Sequence, residues 1–383
     1  MIKLLIMKNK NLLKLNIVVA LIILTTYYTT FAAEIIYGPG TSSAEITPIG
    51  TKTDTDSAIS PPTSYIDNNT ANLISQIVPM QPSSNATPVD SPSISPATAA
   101  VSESPLSGTT VLSGLGFTTK TITSSKAPTT QAPTYALINA TTRHVYSTKD
   151  LNGKYPVSGL TNLMTAYLAT QYLKMDSVLE VRQTAVRGID KDAAIAALNT
   201  GDTITLKDAI ASMFVKGCVD SSNVVAENVS GSLEEFVTLM NQTAATLGMT
   251  NTHFVDPSGI SNNNESTAYD ISLLLAKVCE NAELVKLLGL SEYVLPAVKK
   301  RDKLVLYSRN TQLSDKSSNY NADVTASRMG YAAKAKFCVA SMMNYNNNYV
   351  IAVVLKAEGS QFSDTKKLFE FGKIATTEDI SSN

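Results

Sequence analysis

From about Thr41 to Thr130 the chain is built of Ser, Thr, Pro and Ala, and about ten of its fifteen prolines fall there. Apolar periodicity is absent and charges are sparse. Such a stretch cannot bury enough surface to offset the entropy of ordering it, so residues 34–131 are expected to be a disordered linker. Any core must therefore come from residues after about Ala132. A tether or glycosylated stalk through a cell wall and a passive spacer both fit this composition, which by itself says only linker.

Before the linker, Lys3, Lys8, Lys10 and Lys14 precede the apolar run Ile17–Leu24, and Phe31-Ala32-Ala33 follows. A basic start, a short apolar core and small residues at a cleavage point describe a signal peptide over 1–33, and hence an exported, extracellular or cell-envelope protein. The run is short for a bilayer span, and a retained N-terminal anchor is the alternative. With IATTEDISSN a short tail after Lys373, over 374–383, membrane attachment is expected only through an uncleaved N-terminus.

Charge and metal-ligand counts exclude several classes. There are 31 basic and 32 acidic residues, two His and three Cys. A net charge near −1 gives no reason to expect nucleic acid, and neither a metal site nor a cofactor is expected. Cys218, Cys279 and Cys338 sit in apolar surroundings, where buried free thiols are common, so neither a disulfide framework nor a thiol nucleophile is expected.

The remaining segment reads as strand pair, helices, strand pair, helix. Tyr135–Ile138 and His144–Tyr146 form a hairpin, and Leu160–Tyr172 is a helix buried around most of its circumference. Thr205-Leu-Lys-Asp208 and Ser232-Leu-Glu-Glu235 open two more helices, the second stopped by Gly248. Thr267–Leu288 is helical with a break near Glu280-Asn281. Strands at Phe337–Met342 and Tyr349–Leu355 flank an Asn-rich turn, and a closing helix covers Thr365–Phe371. This order predicts an α/β (α+β) sandwich with a mainly antiparallel sheet and a helical insertion, over 132–373.

The run Leu239-MNQTAATLGMTNTHFVDPSGI-Ser261, then Ser266-TAYDISLL-Leu275, resembles the serine-type D-alanyl-D-alanine carboxypeptidases, the low-molecular-mass penicillin-binding proteins that trim peptidoglycan stem peptides. YALINATTRHVYS, LNTGDTITLKD and FSDTKKLFEFGK resemble flanking blocks of the same family, so the resemblance spans about 132–372. It implies a β-lactamase/transpeptidase-like fold and stem peptides as partners. It also implies three motifs on one cleft: Ser-x-x-Lys as nucleophile and base, Ser-x-Asn as proton relay, and Lys-Thr-Gly for the terminal carboxylate and oxyanion side.

The frames around these motifs are present and their contents are not. Pro156-VSGLTNLMT-Ala166 puts Gly159 at the nucleophile position and Asn162 at the lysine position. Asparagine has no titratable acceptor and cannot act as the base. Ser158 reads either as a helix cap or, with one inserted residue, as a relocated nucleophile served by a lysine such as Lys154 or Lys334. Gly217-Cys218-Val219 stands in place of Ser-x-Asn, while the nearby Ser221-Ser222-Asn223 needs compensating gaps and reads as coincidence. Arg328-Met329-Gly330 stands in place of Lys-Thr-Gly. Arg328 reads either as a planar fork for a carboxylate, beside Gly330 on the oxyanion side, or as an ordinary exposed arginine.

His253 with Asp256 and Ser258 suggests a triad, but the same histidine belongs to the family's NTHF block, so a structural role is expected. The leading expectation is a pseudoenzyme that binds stem peptides. A working carboxypeptidase with relocated residues and an inert display domain are the alternatives. Restoring Gly159→Ser with Asn162→Lys is expected to return penicillin reactivity if the scaffold is intact.

Overall fold

The computed structural model describes residues 116–382. The signal-peptide reading of 1–33 and most of the linker reading fall outside these residues. The main sheet is built from β1 (Thr118–Thr119), β2 (Thr134–Asn139), β3 (His144–Lys149) and three long strands near the C-terminus. Between them come β4 (Tyr155–Pro156), a 3₁₀ turn (Ser158–Thr161), α1 (Asn162–Tyr172), β5 (Val178–Glu180), α2 (Gln183–Val186) and β6 (Thr203–Thr205). The helical region continues with α3 (Leu206–Lys216), α4 (Val219–Ser230), α5 (Leu233–Thr246), β7 (Glu265–Ser266), α6 (Ala268–Val278) and α7 (Ala282–Leu288). A hairpin of β8 (Glu292–Leu295) and β9 (Leu304–Tyr307) leads to β10 (Val324–Ala332), β11 (Lys336–Tyr345), β12 (Asn348–Ala357) and α8 (Gln361–Ser381).

The sheet order is β1-β3-β2-β12-β11-β10, antiparallel except for β1 against β3. Both faces of its middle are covered, which explains the unbroken apolar run of β12. Val350, Ala352 and Val354 pack with Leu368, Phe369 and Ala375 of α8. Ile351, Val353 and Leu355 face the helical side with Leu163, Leu273 and Leu274. The alternation is the period of two that a pleated strand imposes. This α/β sandwich agrees with the predicted fold class.

Local signals hold at several points. Thr205 and Ser232 accept the N–H of Asp208 and Glu235, as N-caps should. Asn281 caps α7 after the expected break. Asn346 and Asn347 both have positive φ, the geometry of a two-residue hairpin turn that Asn tolerates.

Two boundaries differ from expectation. Order does not begin near Ala132: Phe117 is buried, and β1 adds to the sheet edge. The closing helix is not confined to Thr365–Phe371 but runs from Gln361 to Ser381, so most of the expected tail is helical. The cause is polar anchoring, which hydrophobic periodicity does not report. The buried Asp379 carboxylate accepts from Thr142 Oγ1 (2.9 Å), His144 Nδ1 (2.8 Å) and Tyr146 OH (2.9 Å), and Lys120 Nζ lies 3.3 Å away. Glu378 accepts the backbone N–H groups of Thr123 and Ser124, fastening the incoming strand to the last turns of α8.

Burial works to raise the Asp379 pKa, but the hydrogen bonds from His144, Thr142 and Tyr146 outweigh it and hold the carboxyl below its ordinary value. A depressed folded-state pKa contributes stability that is present above the unfolded value, near 4, and lost as pH falls through the folded value. Thermal stability is therefore expected to fall below about pH 4. Asp379→Asn should lower stability at pH 7 and flatten that slope; an unchanged acid limb in the variant would show that the clamp contributes nothing.

Candidate active site

The chain around α1 forms the floor of a cleft. Leu160, Leu163, Met164 and Ala166 are fully buried, so the helix is held on nearly all sides. The 3₁₀ turn that precedes it brings Ser158 and Gly159 against β10. A Cβ on Gly330 would lie 2.5 Å from Gly159 N, so only glycine allows this approach. Ser158 takes a left-handed φ of 48° and lines the cleft. Its hydroxyl bonds no protein group among the described residues, and the helix-cap reading is corrected. The 3₁₀ turn sets Ser158 four residues ahead of α1, away from the first free amides, and neither helical segment has a side-chain cap bond.

Gly217 ends α3 in the left-handed conformation (φ 80°), donating its N–H to Ser212 and Met213. Gly217, which the resemblance aligns with the relay serine, is thus the C-cap of a helix. Val219 follows as the first residue of α4 and adds an apolar wall to the cleft. Ser221 bonds Ser212 (2.7 Å) and Asn223 bonds the Ala185 carbonyl (2.9 Å), so neither faces the cleft; only Ser222 reaches the site, through Asn162.

The decisive side chain is Arg328. It is neither an exposed edge-strand arginine nor, in this conformation, an open carboxylate fork, because its guanidinium is turned into the protein at 6 % exposure. Nε donates to Gly159 O (3.1 Å), Nη1 to Phe214 O (3.2 Å) and Met329 O (2.6 Å), and Nη2 to Asn162 Oδ1 (2.9 Å). Asn162, fully buried, donates in turn to Ser222 Oγ (3.1 Å) and Ser258 O (3.2 Å). A Cβ built on Gly159 would sit 2.7 Å from Arg328 Nη2, and one on Gly217 3.0 Å from it. These are shorter than van der Waals contact. One guanidinium therefore lies against Gly159, Asn162 and Gly217, the residues that the resemblance aligns with nucleophile, base and relay serine.

Burial pushes the Arg328 pKa down to about 10, so it remains charged at neutral pH. Burial likewise pushes the Cys218, Cys279 and Cys338 thiols up to about 12, and all three are free, which leaves no thiolate near pH 7.

Other candidates are not brought together. Asp256 accepts from Ser258 N and Oγ, Gly259 N and Ser261 N, organising a turn, while His253 pairs through its backbone with Glu265. No His253–Asp256 hydrogen bond forms among the described residues. Lys154 and Lys334 are exposed and do not line the cleft.

The cleft has a volume of about 990 Å³. Sequence reasoning missed Arg309 and Asn310, which enter its wall after β9. Arg309 is exposed and makes no hydrogen bond or ion pair among the described residues. Asn310 is buried, donates to Ser327 Oγ (2.7 Å) and leaves Oδ1 unpartnered. Nothing local marks either residue; the 3₁₀ turn Thr311–Leu313 packed on β10, with the Asn310–Ser327 bond, brings them to the site.

The turn that leads into buried α1 thus meets the edge strand β10 at the cleft. The D-alanyl-D-alanine carboxypeptidase family model matches residues 121–359, more than half of the chain, and the protein belongs to that family. It is 30% identical over 162 residues to the D-alanyl-D-alanine carboxypeptidase DacF of Bacillus subtilis, covering 42% of this chain and 40% of that protein. With the D-alanyl-D-alanine carboxypeptidase DacC of Escherichia coli it shares 28% identity over 226 residues, covering 55% of this chain and 53% of the other. The chain thus spans about half the length of the curated relatives it matches. The fold is similar to that of a D-alanyl-D-alanine carboxypeptidase from Mycobacterium tuberculosis, with a TM-score of 0.58, 17% identity, and coverage of 68% of this chain and 95% of that one.

Proposed function

We propose that this protein is an exported member of its family that holds peptidoglycan stem peptides in the cleft without hydrolysing them. The carrying observation is Arg328, whose guanidinium stands where an attacking hydroxyl would have to be, hydrogen-bonded to the asparagine at the base position. Losing nucleophile and base together removes many orders of magnitude from acyl transfer, so what remains is a shaped groove. Arg309 supports the peptide reading, since a cleft-lining guanidinium without a protein partner among the described residues suits a terminal carboxylate. The basic and apolar residues before Ala33 support export.

Fluorescent penicillin is expected to leave the purified protein unlabelled, and a pentapeptide ending in D-alanyl-D-alanine should bind without release of D-alanine. A labelled band that disappears in Ser158→Ala would defeat the non-catalytic reading. Absence of any binding to pentapeptide or purified peptidoglycan would defeat the binding one and favour a display role.

A further inference from the structure

Basic and acidic residues nearly balance over the whole chain, yet Lys299, Lys300, Arg301 and Lys303 fall almost consecutively, with Asp302 the one carboxylate among them. They form the tip of the β8–β9 hairpin. Val298 N donates to Arg301 O (2.8 Å) and Arg301 N to Val298 O (3.3 Å), so Lys299 and Lys300 are the central residues of a tight turn. Nearer its base the hairpin is fixed to the body of the fold, where Tyr293 OH donates to Asp208 Oδ1 of α3 (2.7 Å).

Arg301 stiffens the tip from within. Its Nη1 donates to Asp302 O (2.7 Å) and its Nη2 to Pro296 O (2.8 Å), so its planar fork is taken up by carbonyls of the hairpin itself. Lys299, Lys300 and Lys303 are exposed and make no hydrogen bond or ion pair among the described residues. Three ammonium groups are thus held close together on a turn that is already shaped, which lowers the ordering cost of binding.

The same residues narrow the partner. None of residues 296–303 lines the cleft. Small ligands take concave sites, whereas a long polyanion can lay successive charges along a convex turn. The one fork suited to a planar carboxylate is turned inward, leaving compact ammonium groups, which bind phosphate as point charges. Residues 296–303 contain no aromatic side chain for bases to stack on, and no Trp, Phe or Leu to enter a bilayer.

We propose that the tip of the β8–β9 hairpin is a docking surface for a linear, base-free phosphodiester polymer, of the poly(polyol phosphate) type. Lys299, Lys300 and Lys303 neutralise its phosphates. The surface needs no peptide in the cleft, so it stands or falls apart from the stem-peptide reading.

The test is fluorescence anisotropy of labelled poly(glycerol phosphate) titrated with the full chain at pH 7, in about 50 to 200 mM sodium chloride. Wild-type affinity should fall roughly twentyfold over that range, the loss expected when about three counter-ions leave a flexible chain. Replacing the three lysines together (Lys299→Gln, Lys300→Gln, Lys303→Gln) should weaken binding at low salt at least about tenfold. It should also flatten the slope of log K against log salt by about 2. The same loss of charge at the exposed and scattered Lys126, Lys174 and Lys366 should leave affinity and slope close to wild type. All six side chains are exposed, so both variants should keep the wild-type melting temperature. Unchanged binding in the tip variant, or an equal loss in the scattered one, would overturn the proposal. Adsorption to phosphatidylglycerol vesicles without any binding to the polymer would overturn it too, because the tip would then be a membrane contact.

Discussion

Gly159→Ser combined with Asn162→Lys is expected to yield a protein that melts roughly 10 °C or more below the wild type and takes up no fluorescent penicillin. From the sequence, this pair looked like the minimal restoration of nucleophile and base; the structure reverses that expectation. The serine Cβ would lie 2.7 Å from Arg328 Nη2, an overlap that costs about 1–3 kcal/mol to relieve. The lysine would set an ammonium against a guanidinium that now donates to Asn162 Oδ1. Two like charges 4 Å apart repel by about 4 kcal/mol at an effective dielectric of 20. Adding Arg328→Lys removes the rigid fork from the nucleophile's space but keeps the like charge, so that triple variant should recover only the steric part of the lost melting temperature. Calorimetry and penicillin labelling of both variants check this. A double variant that folds as well as the wild type, or that labels, would show that Arg328 leaves the site readily.

Removing the arginine itself should have a comparable effect. Arg328→Ala leaves Gly159 O, Phe214 O and Asn162 Oδ1 without their charged donor, in surroundings that include the fully buried Asn162. Breaking a buried network of this kind costs about 3–5 kcal/mol. Arg328→Lys should cost less, because an ammonium keeps the charge while losing the planar arrangement of donors. A double-mutant cycle with Asn162→Ala isolates the pair. Denaturant unfolding should return a coupling of about 1.5–3 kcal/mol, the range of a hydrogen bond to a charged group. A coupling near zero would mean that Arg328 is held by the backbone carbonyls alone.

Much of the scaffold was legible because its signals are local. The Thr205 and Ser232 caps, the break ahead of Asn281 and the Asn346-Asn347 turn each depend on residues a few positions apart. That Gly159, Asn162, Gly217 and Arg328 belong to one place was legible too, since the resemblance set them on one cleft and the structure brings them into contact. Two features were misread because their stabilising contacts are distant. The last turns of α8 look like a polar tail until Asp379 is seen accepting from Thr142, His144 and Tyr146, more than 230 residues away in sequence. Arg309 and Asn310 lack any local motif, and only the 3₁₀ turn Thr311–Leu313 packed on β10, with the Asn310–Ser327 bond, places them in the cleft wall.

By itself, the amino-acid order aligned Gly159, Asn162, Gly217 and Val219 with the positions where the family resemblance implies reacting groups, because intact blocks flank each of them. It left open what fills the space they vacate. Only the tertiary structure turned Arg328 inward, through bonds to Asn162 and Gly159 that span 166 and 169 residues. The direction of a long, flexible side chain is set by the acceptors that packing assembles around it, and those acceptors come from separate segments of the fold.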